Sequence, residues 1–189
     1  PPPDLEEVRS WIGDGARTLV QRGLAARGVT DAAAVDAAFL TFRAAYEASP
    51  VSVTRPYPGV VEALTGLRTA GHRVVVCTNK PRVPMLAVLQ GTGLAALVDA
   101  AIGGDELTVR KPDPEHLREA IRRAGGGPAL MVGDGPADRD AARAADVPFL
   151  WVGWGYGPLG TAAGARWVCR EPAALAETLS AATRDLAGA

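Results

Sequence analysis

The stretch that most constrains this chain is Ala129–Asp138, ALMVGDGPAD. Apolar residues Ala129 to Val132 run into Gly133-Asp134, a glycine-proline turn follows, and a second carboxylate, Asp138, opens an alanine-rich run to Ala145. The pattern predicts a buried strand, a tight turn and a helix over Asp138–Ala145. Both carboxylates then lie at the carboxyl edge of a sheet, where open α/β folds bind their ligands. An aspartate at a strand tip is costly unless a positive charge or a hydrogen-bond donor faces it. The pair Asp134 and Asp138 therefore suggests a hard divalent cation, Mg²⁺ above all. The competing reading is local: Asp138 caps its helix and Asp134 holds a turn.

Two further stretches weigh on that choice. Arg73–Lys80, RVVVCTNK, reads as a strand ending in Thr78, Asn79 and Lys80. Arg110–Pro114, RKPDP, fixes Lys111 beside a proline-stiffened turn. A strand-end hydroxyl, an isolated lysine and a carboxylate pair make the surround expected for a phosphate beside Mg²⁺. Each signal is weak alone. Their order, with strand–helix spacing between them, is the stronger argument.

The rest of the chain divides by its periodicity. Asp4 followed by Glu7 makes a capping-box analogue, with Leu5, Val8 and Ile12 as an apolar face and an end near Gly13. Asp14-Gly15 reads as a turn, Ala16–Ala26 as a second helix broken at Gly28, and Asp31–Ala48 as a third, capped by Thr30 and stopped by Pro50. Phe39, Phe42 and Tyr46 fall at helical spacing and read as core. Residues 1–50 are thus expected to form an all-helical unit. After a linker at Val51–Pro58, helices expected at 60–69, 81–91, 114–124, 138–145 and 172–186 alternate with strands at 73–78, 100–103, 129–133, 149–152 and 166–169. That alternation predicts a mostly parallel sheet with helices on both faces over residues 51–189. Trp154 and Tyr156, in the glycine-rich Gly153–Gly160 loop, either face the cleft or anchor the loop; the sequence does not choose.

Composition excludes several classes. The formal net charge is −1 with no block of like charges, which gives no electrostatic footprint for nucleic acid or an anionic membrane. No signal-peptide pattern opens the chain, and no apolar run reaches the roughly 18 residues that suggest a membrane span. Cys77 and Cys169 make no disulfide framework, and Cys77 reads as a small buried hydrophobe, so a cytoplasmic location is expected. Oligomeric state is not specified.

Taken together, WIGDGARTLVQRGL, VVCTNKP, IGGDELTVRKPDPEHL, MVGDGPADRDAARAA and the later GWGYG resemble the haloacid dehalogenase superfamily of phosphohydrolases, within it the bacterial phosphoglycolate phosphatase branch. The resemblance spans essentially the whole chain. It implies a Rossmann-like three-layer α/β core with a partial helical cap, and Mg²⁺-dependent hydrolysis of a small phosphorylated metabolite, 2-phosphoglycolate first. It also implies that Thr78 and Asn79 bind phosphate, that Lys111 neutralises phosphate and nucleophile, that Asp134 ligates Mg²⁺ and that Asp138 orients the metal shell. Arg17 and Arg22 are either cap contacts for the substrate anion or exposed solubilising residues.

One part of the family pattern is missing. The superfamily attacks phosphorus with the first carboxylate of an Asp-x-Asp-Gly-Thr segment ending its central strand, and no such segment occurs here. Asp14-Gly15-Ala16 does not replace it, because it sits between expected helices with no apolar strand before it. The chain thus resembles a truncated member lacking that strand and the first cap helix. The strands at 73–78 and 129–133, which would flank the missing one, are left with open ladders or must pair directly. Turnover by the chain as it stands is not expected. The alternatives are a non-catalytic phosphate- or metal-binding remnant, a related phosphatase acting on another small metabolite, and, less well matched by the helical start, a phosphoacceptor signalling domain.

Overall fold

A computed structural model of the protein describes residues 3–12, 15–48, 51, 53–157 and 159–188. The chain separates into two compact units, Pro1–Ser52 and Val53–Ala189. The stops expected at Gly13-Asp14 and Pro50 lie outside the described residues.

The first unit holds helices α1 (Leu5–Trp11), α2 (Ala16–Ala25) and α3 (Ala32–Ala48). Asp4 caps α1, its Oδ1 accepting the Glu7 amide at 2.7 Å. The cap of α3 is a correction: Asp31, not Thr30, accepts the Ala34 amide at 2.8 Å. Phe42 and Tyr46 stack with ring centroids 6.0 Å apart but stay half-buried, and Val35 is the buried side chain of α3. Arg17 pairs with Asp36 at 2.5 Å, and Arg22 donates to the Trp11 carbonyl.

The second unit alternates helix and strand: α4 (Val60–Thr69), β1 (Val75–Cys77), α5 (Arg82–Gly91), β2 (Ala100–Ile102), α6 (Pro114–Arg123), β3 (Met131–Gly133), α7 (Pro136–Ala145), β4 (Phe149–Val152), β5 (Trp167–Cys169) and α8 (Leu175–Ala187). Short 3₁₀ turns at Leu94–Leu97 and Leu159–Ala162 have no counterpart in the apolar periodicity. Helix α7 begins at Pro136, two residues before the expected start. Proline at the first helical position forfeits no intrahelical bond, so the turn closes around Gly135 and leaves Asp138 inside the first turn.

Among the described residues every strand pairing is parallel, but the strands form two sheets, β1-β2 and β3-β4-β5. The larger sheet packs on two apolar clusters. One gathers Leu150, Leu175, Leu179 and Cys169; the other gathers Leu117, Met131, Phe149 and Trp151. Burial of a side chain such as Leu150, with none of its surface exposed, contributes about 1.5–3 kcal/mol.

Between the sheets runs a groove of about 790 Å³, lined by Val75 and Cys77 of β1, Met131 and Val132 of β3, and Leu117 and Leu179 from the helices. The ladder bonds show which backbone groups face it. Asp99 N donates to Val74 O and Thr78 N to Ile102 O, so even-numbered residues of β1 bond to β2. Val75 and Cys77 therefore turn their peptide groups the other way, toward the groove. On β3, Met131 N donates to Pro148 O, which leaves Val132 facing the groove. Of the two outcomes expected for the flanking strands, open ladders are found and direct pairing is not.

Candidate active site

The site lies where β1 and β3 end. Beyond β1 the chain turns through Thr78–Lys80, and Thr78 Oγ1 accepts the Lys80 amide at 3.1 Å. This turn is pressed by the Gly103-Gly104 step after β2. Gly104 N donates to Lys80 O at 2.8 Å, and a Cβ on Gly104 would lie 2.3 Å from Asn79 O. Only glycine permits that approach. Asn79 Nδ2 donates to Lys111 O at 2.9 Å, while Asn79 Oδ1 is buried without a partner among the described residues.

Lys111 is the centre of the site. It is 8% exposed, and its ammonium donates to Cys77 O and to Asp138 Oδ1, each at 2.6 Å. A lysine ammonium has three protons, so one is left for a ligand. Asp138, also 8% exposed, spends its other oxygen on the Gly135 amide at 3.0 Å, the reach-back bond of a capping box. A Cβ on Gly133 would meet Asp138 Cγ at 2.4 Å, so that glycine makes room for the carboxylate. The local reading of Asp138 as a helix cap thus describes one of its oxygens, and the lysine takes the other.

Asp134 is placed differently. Its Oδ2 accepts the backbone amides of Tyr156 and Gly157, each at 2.8 Å, and its carbonyl accepts Trp151 Nε1 at 3.0 Å. Oδ1 has no partner among the described residues. The glycine-rich loop after β4 therefore wraps the carboxylate. Trp154 of that loop meets Tyr57 edge-on, centroids 6.3 Å apart, and is half-buried, whereas Tyr156 is exposed. Of the sequence-derived residues, Asn79, Lys111 and Asp138 join directly or through one backbone atom. Thr78 follows the carbonyl that Lys111 holds, and Asp134 precedes the amide that Asp138 holds.

The residues suit Mg²⁺ in one respect and not in another. Among the described residues no group of three or more His, Cys, Asp or Glu side chains gathers as a metal cage. Mg²⁺ does not require one; it keeps several waters and uses one or two carboxylates plus substrate phosphate. Asp134 Oδ1 fits that role. Asp138 has both oxygens committed.

Sequence reasoning missed His116. It is fully buried in the first turn of α6, with Nε2 3.1 Å from Gly103 O and Nδ1 3.4 Å from Cys77 Sγ. A carbonyl only accepts, so Nε2 carries the proton and Nδ1 receives the Cys77 thiol. Burial pushes the Cys77 thiol up, against a smaller lowering by Lys111, which keeps it a donor. The available signal was His116 and Ala120 at helical spacing beside Leu117, all on the buried face of α6. The amides of Tyr156 and Gly157 were also missed, because backbone donors carry no side-chain signature.

Comparison with known proteins agrees with this architecture. The profile of haloacid dehalogenase-like hydrolases matches residues 1–146. A phosphoglycolate phosphatase of Rhodospirillum rubrum is 41% identical over 162 residues, covering 82% of this chain and 67% of that protein. One from Cereibacter sphaeroides (strain ATCC 17029 / ATH 2.4.9) is 42% identical over 153 residues, covering 80% and 70%. Among solved structures, a predicted phosphoglycolate phosphatase from Haemophilus somnus 129PT superposes with a TM-score of 0.84 at 27% identity, covering 94% of this chain and 83% of that one. The chain belongs to the haloacid dehalogenase-like hydrolases. Its relatives place it among the phosphatases of that family, whose substrates are small phosphorylated metabolites and whose general cofactor is Mg²⁺.

Proposed function

We propose that the protein hydrolyses 2-phosphoglycolate to glycolate and phosphate with Mg²⁺, using an attacking carboxylate carried by a strand that lies in the groove between β1 and β3. The observation that carries this reading is Lys111: a buried ammonium tied to Cys77 O and Asp138 with one proton unspent. Thr78 and Lys111 bind the phosphoryl oxygens. Asn79, bonded to the Lys111 carbonyl, holds the two turns together. Asp138 keeps the ammonium aimed. Asp134 offers Oδ1 to the cation, and Mg²⁺ when bound would offset charge developing on the phosphoryl group.

The groove supports the rest. Among the described residues, its two walls turn peptide groups of Val75 and Val132 away from their own ladders, the pattern that an inserted parallel strand would satisfy, while Cys77 O at the end of β1 is already held by Lys111. A carboxylate at that strand's end would emerge between Thr78 and Asp134. With no such carboxylate among its 189 residues, the chain alone binds ligand without turning it over, since ground-state binding does not lower the chemical barrier. The two free cysteines, one buried, suit a reducing compartment, and the cytoplasm is the location we assign.

Steady-state phosphate release by the protein expressed from its genomic start codon tests the substrate. Release from 2-phosphoglycolate should exceed that from other small phosphoesters and vanish without Mg²⁺. A higher kcat/KM on another phosphorylated metabolite would refute the substrate and keep the chemistry. Equal release without metal would refute the chemistry.

A further inference from the structure

The loop after β4 approaches Asp134 more closely than packing alone requires. A Cβ on Gly155 would lie 2.3 Å from Asp134 Oδ2, and one on Gly157 would lie 2.0 Å from the Asp134 carbonyl oxygen. Two successive amides, Tyr156 N and Gly157 N, converge on the same carboxylate oxygen, and buried Trp151 fixes the carbonyl of the same residue. The aspartate is held at both its backbone and its side chain, with one oxygen taken and the other open.

We propose that the 153–157 loop is the positioning element of the cation site: by occupying Asp134 Oδ2 it presents Oδ1 alone and selects Mg²⁺ against Ca²⁺. The proposal rests on the reading of Asp134 as the cation ligand. Its physical basis is the difference between the two ions. Mg²⁺ requires near-octahedral geometry from single oxygens, whereas Ca²⁺ takes more ligands at longer distance and readily accepts both oxygens of one carboxylate. A carboxylate with Oδ2 committed to two amides binds through one oxygen only. Freed from the loop, it would swing to offer both, which favours the larger ion. The loop's glycines are thereby tied to ion choice, and its aromatic residues are left to other contacts.

The test is Mn²⁺ binding followed by electron paramagnetic resonance, with displacement by Mg²⁺ and by Ca²⁺, on the protein expressed from its genomic start codon. Gly155→Ala forces loop and carboxylate apart. Tyr156→Pro removes one of the two amide donors at an exposed side chain. Gly66→Ala, on α4 where an added Cβ meets nothing, is the control. Near-ultraviolet circular dichroism confirms folding of each. Both loop variants should lose about tenfold in Mg²⁺ affinity, the range seen when partners of a metal ligand are removed, and lose less for Ca²⁺. The ratio of the two affinities is the readout that general loosening would not move. Asp134→Asn should lower binding of all three ions. If it does, but folded loop variants keep the original Mg²⁺-to-Ca²⁺ ratio, the positioning role is wrong and the metal reading stands. If Asp134→Asn leaves Mn²⁺ binding unchanged, both fall.

Discussion

The two sheets of the second unit are held by different physics. The β3-β4-β5 half sits on both apolar clusters, with Leu150 and Trp151 at most 1% exposed. The β1-β2 half buries Val74, Met85, Leu89 and Ile102 and relies more visibly on polar ties. Asp99 accepts the Val74 amide at 2.8 Å and pairs with Arg68 at 2.5 Å. Glu106 accepts the Gly103 amide at 2.7 Å and pairs with Arg123 at 2.7 Å. The half that carries the Thr78 turn thus adds polar ties from the sheet backbone to its packing, whereas the half that carries the aspartates rests on the larger apolar clusters. Lys111 crosses between them, from Cys77 O to Asp138.

That crossing is where the two halves come apart most easily. Lys111→Met removes the tie and leaves Asp138 buried without its partner, a change that costs about 3–5 kcal/mol. Urea unfolding should show it as a lower midpoint, and phosphate binding should weaken with it. Within the packed half, Leu150→Ala should cost about 2–5 kcal/mol by the same measurement, because its neighbours in the cluster collapse only partly around the cavity.

Acid should separate the halves. The Val74 amide first, then Arg68, holds the Asp99 carboxyl below its ordinary range. Burial pushes Glu106 up, but the Gly103 amide and Arg123 together bring it below its ordinary value. A depressed carboxylate stabilises the fold fully above its unfolded value, and that contribution is lost as pH falls through the lower folded value. Hydrogen exchange at pH values below the ordinary carboxylate range should therefore show β1 and β2 amides losing protection before those of β4. Uniform loss across both sheets would count against the division. The smallest effect belongs to Val132→Ala. Val132 is 37% exposed on the groove wall, and its loss should change the stability of the 189-residue chain by less than about 0.5 kcal/mol. The cost should rise once a strand covers it.

Much of the fold was legible because its signals are periodic. Helix α4 and strand β4 fall at the expected bounds, and the other elements of the second unit differ mainly at their ends. The misplaced start of α7 and the Asp31 cap are local choices between neighbouring polar residues, which periodicity does not resolve. The split of the sheet depends on what lies beside a strand in space, and a strand's own residues do not state that. In the site, residue types at strand ends pointed to Thr78 and Asp134, and the proline-stiffened turn pointed to Lys111. Which oxygen bonds to which donor was not legible: Asp138 turns to Lys111, Asp134 to the amides of Tyr156 and Gly157, and His116 to Cys77.

If this core holds a phosphatase site, its attacking carboxylate enters through the groove. Single-turnover release of phosphate from 2-phosphoglycolate, compared between the 189-residue chain and the protein expressed from its genomic start codon, tests it most directly. Mg²⁺-dependent release is expected from the latter and none above the metal-free control from the former. Robust Mg²⁺-dependent release by the 189-residue chain, abolished by Asp134→Asn, would contradict it.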